Sequence, residues 1–126
     1  KRSPHAHRRR FRRTQAALRI MEYSVFLTEQ AKSDLAEIYS YISVELKSKK
    51  SAENVIDALH QAMKGLSLMP SRYHQFPNEP WLSEGVRYFT IRNYSIFYTV
   101  DENNLCVSVV HVIYGKRNLP QVLSNR

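Results

Sequence analysis

The chemistry available to this chain rests first on three cations. Arg92 closes one apolar and aromatic run, and Lys116 and Arg117 follow another through Gly115. Clustered Arg and Lys donate charge-assisted hydrogen bonds to phosphate and can stabilise the added negative charge of a phosphoryl transition state. Tyr94, Tyr98 and Tyr114 stand near them in sequence and could stack on bases, and Arg87 adds a cation to the same half of the chain. Residues 71–126 hold six basic and four acidic residues, against five and seven in 21–70, so the C-terminal half is the cationic one. The same residues also have a plainer use: cations paired with Glu84, Asp101 or Glu102, and tyrosines that cover a sheet.

Other reactive side chains are sparse. His111 falls on the face of Ile113 in a strand-like run, where both a packed imidazole and a general base are open readings; His60 falls in a helix and His74 in a loop. His5 and His7 have no further ligands near them, and no metal or cofactor is expected. The chain has no phosphate-cradling Gly-rich loop, no H-E-x-x-H and no G-x-S-x-G. The single cysteine, Cys106, excludes an internal disulfide framework, fits a reducing cytoplasm and reads as a small buried hydrophobe.

These residues need a scaffold, and the composition supplies one. With 126 residues, 43% hydrophobic and 24% charged, and only 3 Gly and 5 Pro, the chain suits one compact domain. Its net charge of +8 points at first to nucleic acid, but eight of the 19 basic residues and no acidic one lie in residues 1–20. The remainder carries 11 of each sign and is formally neutral. Residues 1–20 therefore read as a basic N-terminal extension before a natural start at Met21: an added leader, an arm for an acidic surface, or a transit peptide. No secretory h-region and no run of roughly 18 apolar residues is present, so a soluble domain over residues 21–126, without a membrane partner, is expected.

Within that domain, Tyr23 to Leu27 alternates as a strand, and Thr28 is an N-cap with Glu29 in the first turn. Ala31, Leu35, Ile38, Ile42 and Leu46 then predict an amphipathic helix over 29–47. Ser51 can cap a second helix, lined by Val55, Leu59, Ala62, Met63 and Leu66 and ending before Pro70. A break this short implies an antiparallel hairpin, and Tyr39, Tyr41 and Ile56 widen its apolar surface beyond what one sheet contact uses. Residues 70–85 are loop chemistry, anchored by Trp81. Val86 to Arg92, Tyr94 to Val100 and Leu105 to Tyr114 predict three strands, joined by a tight turn at Asn93 and a longer one over 101–104. The expected fold is α+β, an antiparallel meander covered on one face by two helices.

The run Val86-Arg87-Tyr88-Phe89-Thr90-Ile91-Arg92-Asn93-Tyr94-Ser95-Ile96-Phe97-Tyr98, followed by Val109 to Leu119 with its Gly115-Lys116-Arg117-Asn118, resembles the RelE/ParE superfamily of bacterial type II toxin–antitoxin and plasmid-stabilisation toxins. The likeness spans nearly all of residues 21–123, since members also run strand, two helices, three strands. It implies a cytoplasmic toxin and a cognate antitoxin partner, in an oligomer with it, which covers the hairpin near Tyr39, Tyr41 and Ile42. It also implies one of two targets. RelE-like members cleave mRNA on the ribosome, which would use Arg92 and Arg117 with Lys116; ParE-like members bind and inhibit DNA gyrase. Where RelE places a C-terminal tyrosine this chain has Leu123, and where many members have arginine in the Tyr-x-Ile-x-Tyr strand it has Ser95. A nuclease would need Tyr114, His111 or Tyr98 for proton transfer, because leucine offers none. The hairpin and the neutral body lean toward the gyrase-binding branch. A member that only binds its antitoxin is the remaining reading.

Overall fold

The structure, a computed structural model, describes residues 22–115. Strand β1 (Ser24–Leu27) leads into helix α1 (Glu29–Ser40), a π-helical turn (Tyr41–Glu45) and helix α2 (Lys49–Lys64). Two short 3₁₀ turns (Gly65–Ser67 and Pro70–Arg72) and a loop precede β2 (Arg87–Ile91), β3 (Tyr94–Asp101) and β4 (Cys106–Tyr114). The α+β order is the expected one, and the three last strands start and stop within a residue of expectation.

The meander is antiparallel, and β1 joins it beside β4 in parallel, giving a four-stranded sheet of order β1-β4-β3-β2. A parallel neighbour needs a long crossover, and here the helical hairpin is part of it. Pairing of β1 stops early: Ser24 to Leu27 face Cys106 to Val109, after which Thr28 turns the chain into α1. The Thr28 hydroxyl accepts from the Ala31 N–H at 3.1 Å as N-cap and donates to the Val109 carbonyl at 3.0 Å, so one side chain both starts the helix and ties it to β4.

Three boundaries differ from expectation. The first helix departs from α geometry after Ser40, and Leu46 N–H reaches back to Tyr41 O at 3.2 Å. This wider turn shifts the register, so Ala31, Leu35 and Ile42 are buried whereas Leu46 is 57% exposed. The cap of α2 is Ser48 rather than Ser51: Lys47 takes a positive φ of 56°, and the Ser48 side chain accepts from the Ser51 N–H at 3.2 Å. The β2–β3 turn holds two residues, Arg92 and Asn93, at φ 52° and 67° between the paired Ile91 and Tyr94, which is the primed geometry that matches sheet twist. Arg92 is thus a turn residue and not the end of a strand.

The main core lies between hairpin and sheet. Leu35, Leu59, Met63 and Leu66 pack on Tyr94, Ile96, Tyr98, Val107, Val109 and Val112. On the other face the loop folds back as a lid: Phe76 and Val86 cover Phe97, with Trp81 and Tyr88 half-buried against them. Trp81 does anchor that loop. Cys106 is half-buried rather than buried, because it opens β4 next to the exposed 101–104 turn; its Sγ lies 3.4 Å from the Asn104 carbonyl.

Candidate functional site

Because β1 ends opposite Val109, the last five of the nine residues of β4 have a strand neighbour on one side only, and α1 lies beside them. Between them runs a groove of about 810 Å³, lined on the helical side by Asp34, Glu37, Ile38, Tyr41, Ile42, Leu46, Ser51 and Val55. Tyr94, His111, Val112, Ile113 and Tyr114 line the sheet side. Its walls are largely apolar, and its charged members are carboxylates with no Lys or Arg among them.

At its floor Asp34 binds β4. One carboxylate oxygen lies 2.7 Å from His111 Nδ1 and accepts the Val112 N–H at 2.9 Å; the other accepts from Gln30 Nε2 at 2.9 Å. Burial pushes the Asp34 carboxyl up, but these three donors outweigh it and hold the group below its ordinary range. The contact fixes His111 with Nδ1 as donor, and Nε2 is buried without a partner among the described residues. His111 is therefore a packed histidine, 4% exposed. Sequence reading passed over Asp34, though a signal existed: it lies three residues after Ala31 and four before Ile38, inside the apolar stripe.

The remaining candidates separate. Tyr98 is fully buried, and its hydroxyl donates to the Pro70 carbonyl. Burial pushes that phenol up to about 12, with Arg87 opposing the rise. Arg87 is half-buried, its guanidinium 2.6 Å from the Tyr73 carbonyl. Tyr94 is buried edge-on to Tyr114 at 5.2 Å, and burial together with Tyr114 raises its pKa; Tyr114 itself is 68% exposed. Arg92 is exposed at the turn tip and bonds no described residue. The expected pairing of cations with Glu84, Asp101 or Glu102 does not occur among the described residues, where the Lys or Arg ion pair is Lys32–Glu29. Ser95 is fully buried with its hydroxyl unpartnered there.

Of the hairpin residues, Ile42 is buried, Tyr39 is half-buried and Tyr41 is 58% exposed at the groove rim. Lys116, Arg117, Leu123 and the basic residues 1–20 lie outside the described residues. The step before Lys116 is placed, however: Gly115, at φ 80°, donates its N–H to the Asn93 carbonyl at 2.7 Å. The cationic turn and the exit of β4 therefore meet. Among the described residues no three His, Cys, Asp or Glu gather as metal ligands, and no helix is long and apolar enough to cross a membrane.

The fold has known counterparts. The chromosomal ParDE toxin–antitoxin system from P. aeruginosa aligns at a TM-score of 0.63 with 21% identity, over 76% of this chain and 99% of that one. The toxin–antitoxin complex RelBE2 from Mycobacterium tuberculosis aligns at 0.56 with 20% identity, over 74% and 91%. No curated protein matches the sequence significantly. A family model, the ParE toxin of the type II toxin–antitoxin system parDE, matches residues 25–119. That span takes in β1, the hairpin, the groove and the whole meander, and the chain belongs to the ParE family of type II toxin–antitoxin toxins.

Proposed function

We propose that the chain is a ParE-like growth inhibitor that acts by binding DNA gyrase in the cytoplasm and is neutralised by a cognate antitoxin seated on the hairpin and groove. The observation that carries this reading is the state of the proton-transfer candidates. A nuclease needs a side chain that can exchange a proton with substrate near neutral pH. Tyr98 is sealed in the core on Pro70, and His111 is sealed against Asp34. Tyr114 is open, but it borders a groove whose charges are carboxylates, which repel phosphate. Membership in the ParE family supports the same reading.

The ribosome-dependent mRNA endoribonuclease is the second reading, and a specific observation favours it: Arg92 is exposed and unpartnered beside the chain exit that leads to Lys116 and Arg117. One paired experiment separates the two. Purified toxin is added to a gyrase supercoiling assay and to a translation-coupled mRNA cleavage assay. Blocked supercoiling without cleavage is expected, and cleavage that vanishes in Arg92→Asn would reverse the assignment. Asparagine suits this test because it tolerates the left-handed φ at position 92, so loss of the cation is not confounded with loss of the turn. A chain negative in both assays that still binds its antitoxin would be an inactive member.

A further inference from the structure

Three local rules are broken within one short stretch of the hairpin. Val44 and Leu46 stand 63% and 57% exposed, on the π-helical turn and just after it, and so form an apolar spot in water. Lys47 holds a left-handed φ of 56°, a conformation that glycine or asparagine adopts at lower cost. Lys49 and Lys50 open α2 at the positive end of its dipole, with no acidic residue in that first turn. All three lysines are exposed and have no ion pair among the described residues. Neither they nor Val44 line the groove. Folding gains nothing from this arrangement, and π turns, backbone strain and misplaced charge gathered at one place mark a surface kept for contact.

We propose that the turn of the hairpin is the surface by which this chain grips gyrase, and that it meets an acidic patch on the enzyme surrounding a small apolar depression. This deepens the gyrase reading above and rests on it. The lysines supply rim charges, which set encounter rate and salt dependence, while Val44 and Leu46 supply the part that loses its water. The chemistry favours a protein over other anionic surfaces. Aliphatic side chains do not stack on bases, so a nucleic acid would leave Val44 and Leu46 unused. A membrane would have to take in Glu45, which is exposed between them, and a carboxylate in apolar lipid is costly. A protein can answer Glu45 with one Lys or Arg, so the complementary site holds a single cation within its acidic rim.

The test measures direct binding of the full chain to purified gyrase without DNA, beside the supercoiling assay. Replacement of Lys47, Lys49 and Lys50 together by Gln should weaken binding about tenfold and flatten its salt dependence. Val44→Ser combined with Leu46→Ser should also weaken it about tenfold, with the salt dependence kept. Circular dichroism and the urea midpoint should stay near those of the parent, since every changed side chain is exposed. Lys32→Gln combined with Lys64→Gln, which removes hairpin cations away from the turn, should leave binding within about twofold. A parent that binds gyrase while both folded turn variants bind equally well overturns this surface and leaves the gyrase reading standing. A parent that neither binds gyrase nor blocks supercoiling overturns that reading, and this proposal with it. Turn variants whose losses are confined to binding of phosphatidylglycerol vesicles or of duplex DNA overturn the assignment to an acidic protein surface.

Discussion

A carboxylate set against the end of a sheet is costly unless donors surround it, and Asp34 has three. Its replacement by Asn removes the charge from each of those bonds, and a loss of about 1–3 kcal/mol in urea unfolding at neutral pH is expected. The pH dependence has a definite sign. A depressed native pKa means the contribution is present above the ordinary value of 3.8 and is lost as pH falls through the native one. The acid limb of the stability curve should therefore be shallower in Asp34→Asn than in the parent. Tyr98 gives a second residue-level test. Tyr98→Phe leaves the buried Pro70 carbonyl without its donor and should cost about 1–3 kcal/mol. If the phenol is structural, toxicity per folded molecule stays unchanged, whereas a proton-transfer role would abolish it in a protein that still folds.

At the scale of elements, one left-handed residue sets how the two parts of the hairpin join. Lys47 at φ 56° separates the π-helical turn from α2, a conformation that costs a residue with a Cβ about 1–2 kcal/mol. Lys47→Gly should recover about 1 kcal/mol, seen as a higher urea midpoint at constant slope, since the strain removed exceeds the entropy that glycine adds to the unfolded chain. How far the elements were legible follows from periodicity. The aromatic and β-branched run from Tyr94 to Val100 and the helical spacing of Leu35, Leu59 and Met63 placed strands and helices correctly, because burial writes itself into residue type. The π-helical turn left no such mark: Leu46 fits the helical stripe perfectly well and is exposed only because one wider turn rotates it away. The cap shift from Ser51 to Ser48 is of the same kind, as both serines satisfy the local rule and backbone geometry at Lys47 chooses between them.

At the scale of the whole molecule, the charge is unevenly distributed. The net +8 belongs to residues 1–20, while the rest carries equal numbers of both signs. Binding of nucleic acid by neutralising phosphates depends steeply on salt, with a slope set by the number of contacts. On the proposed gyrase-binding function, replacement of Arg8, Arg9, Arg10, Arg12 and Arg13 by Gln in the full chain is expected to remove most salt-sensitive DNA and RNA binding while leaving inhibition of supercoiling within twofold. A parallel loss of inhibition would tie the basic segment to the target.

By itself the sequence determined the α+β order, the approximate spans of the strands and helices and the family likeness, since each depends on neighbours within a few residues or on a contiguous motif. Only the tertiary structure decided that β1 lies parallel to β4 and stops at Leu27, that Asp34 reaches His111 across 77 residues, and that Tyr98 is sealed on Pro70. Strand pairing and burial are properties of contacts between distant segments, whose register no local pattern specifies. The groove arises from that mismatch in strand length. A four-residue β1 beside a nine-residue β4 leaves the edge open, and neither length alone announces it.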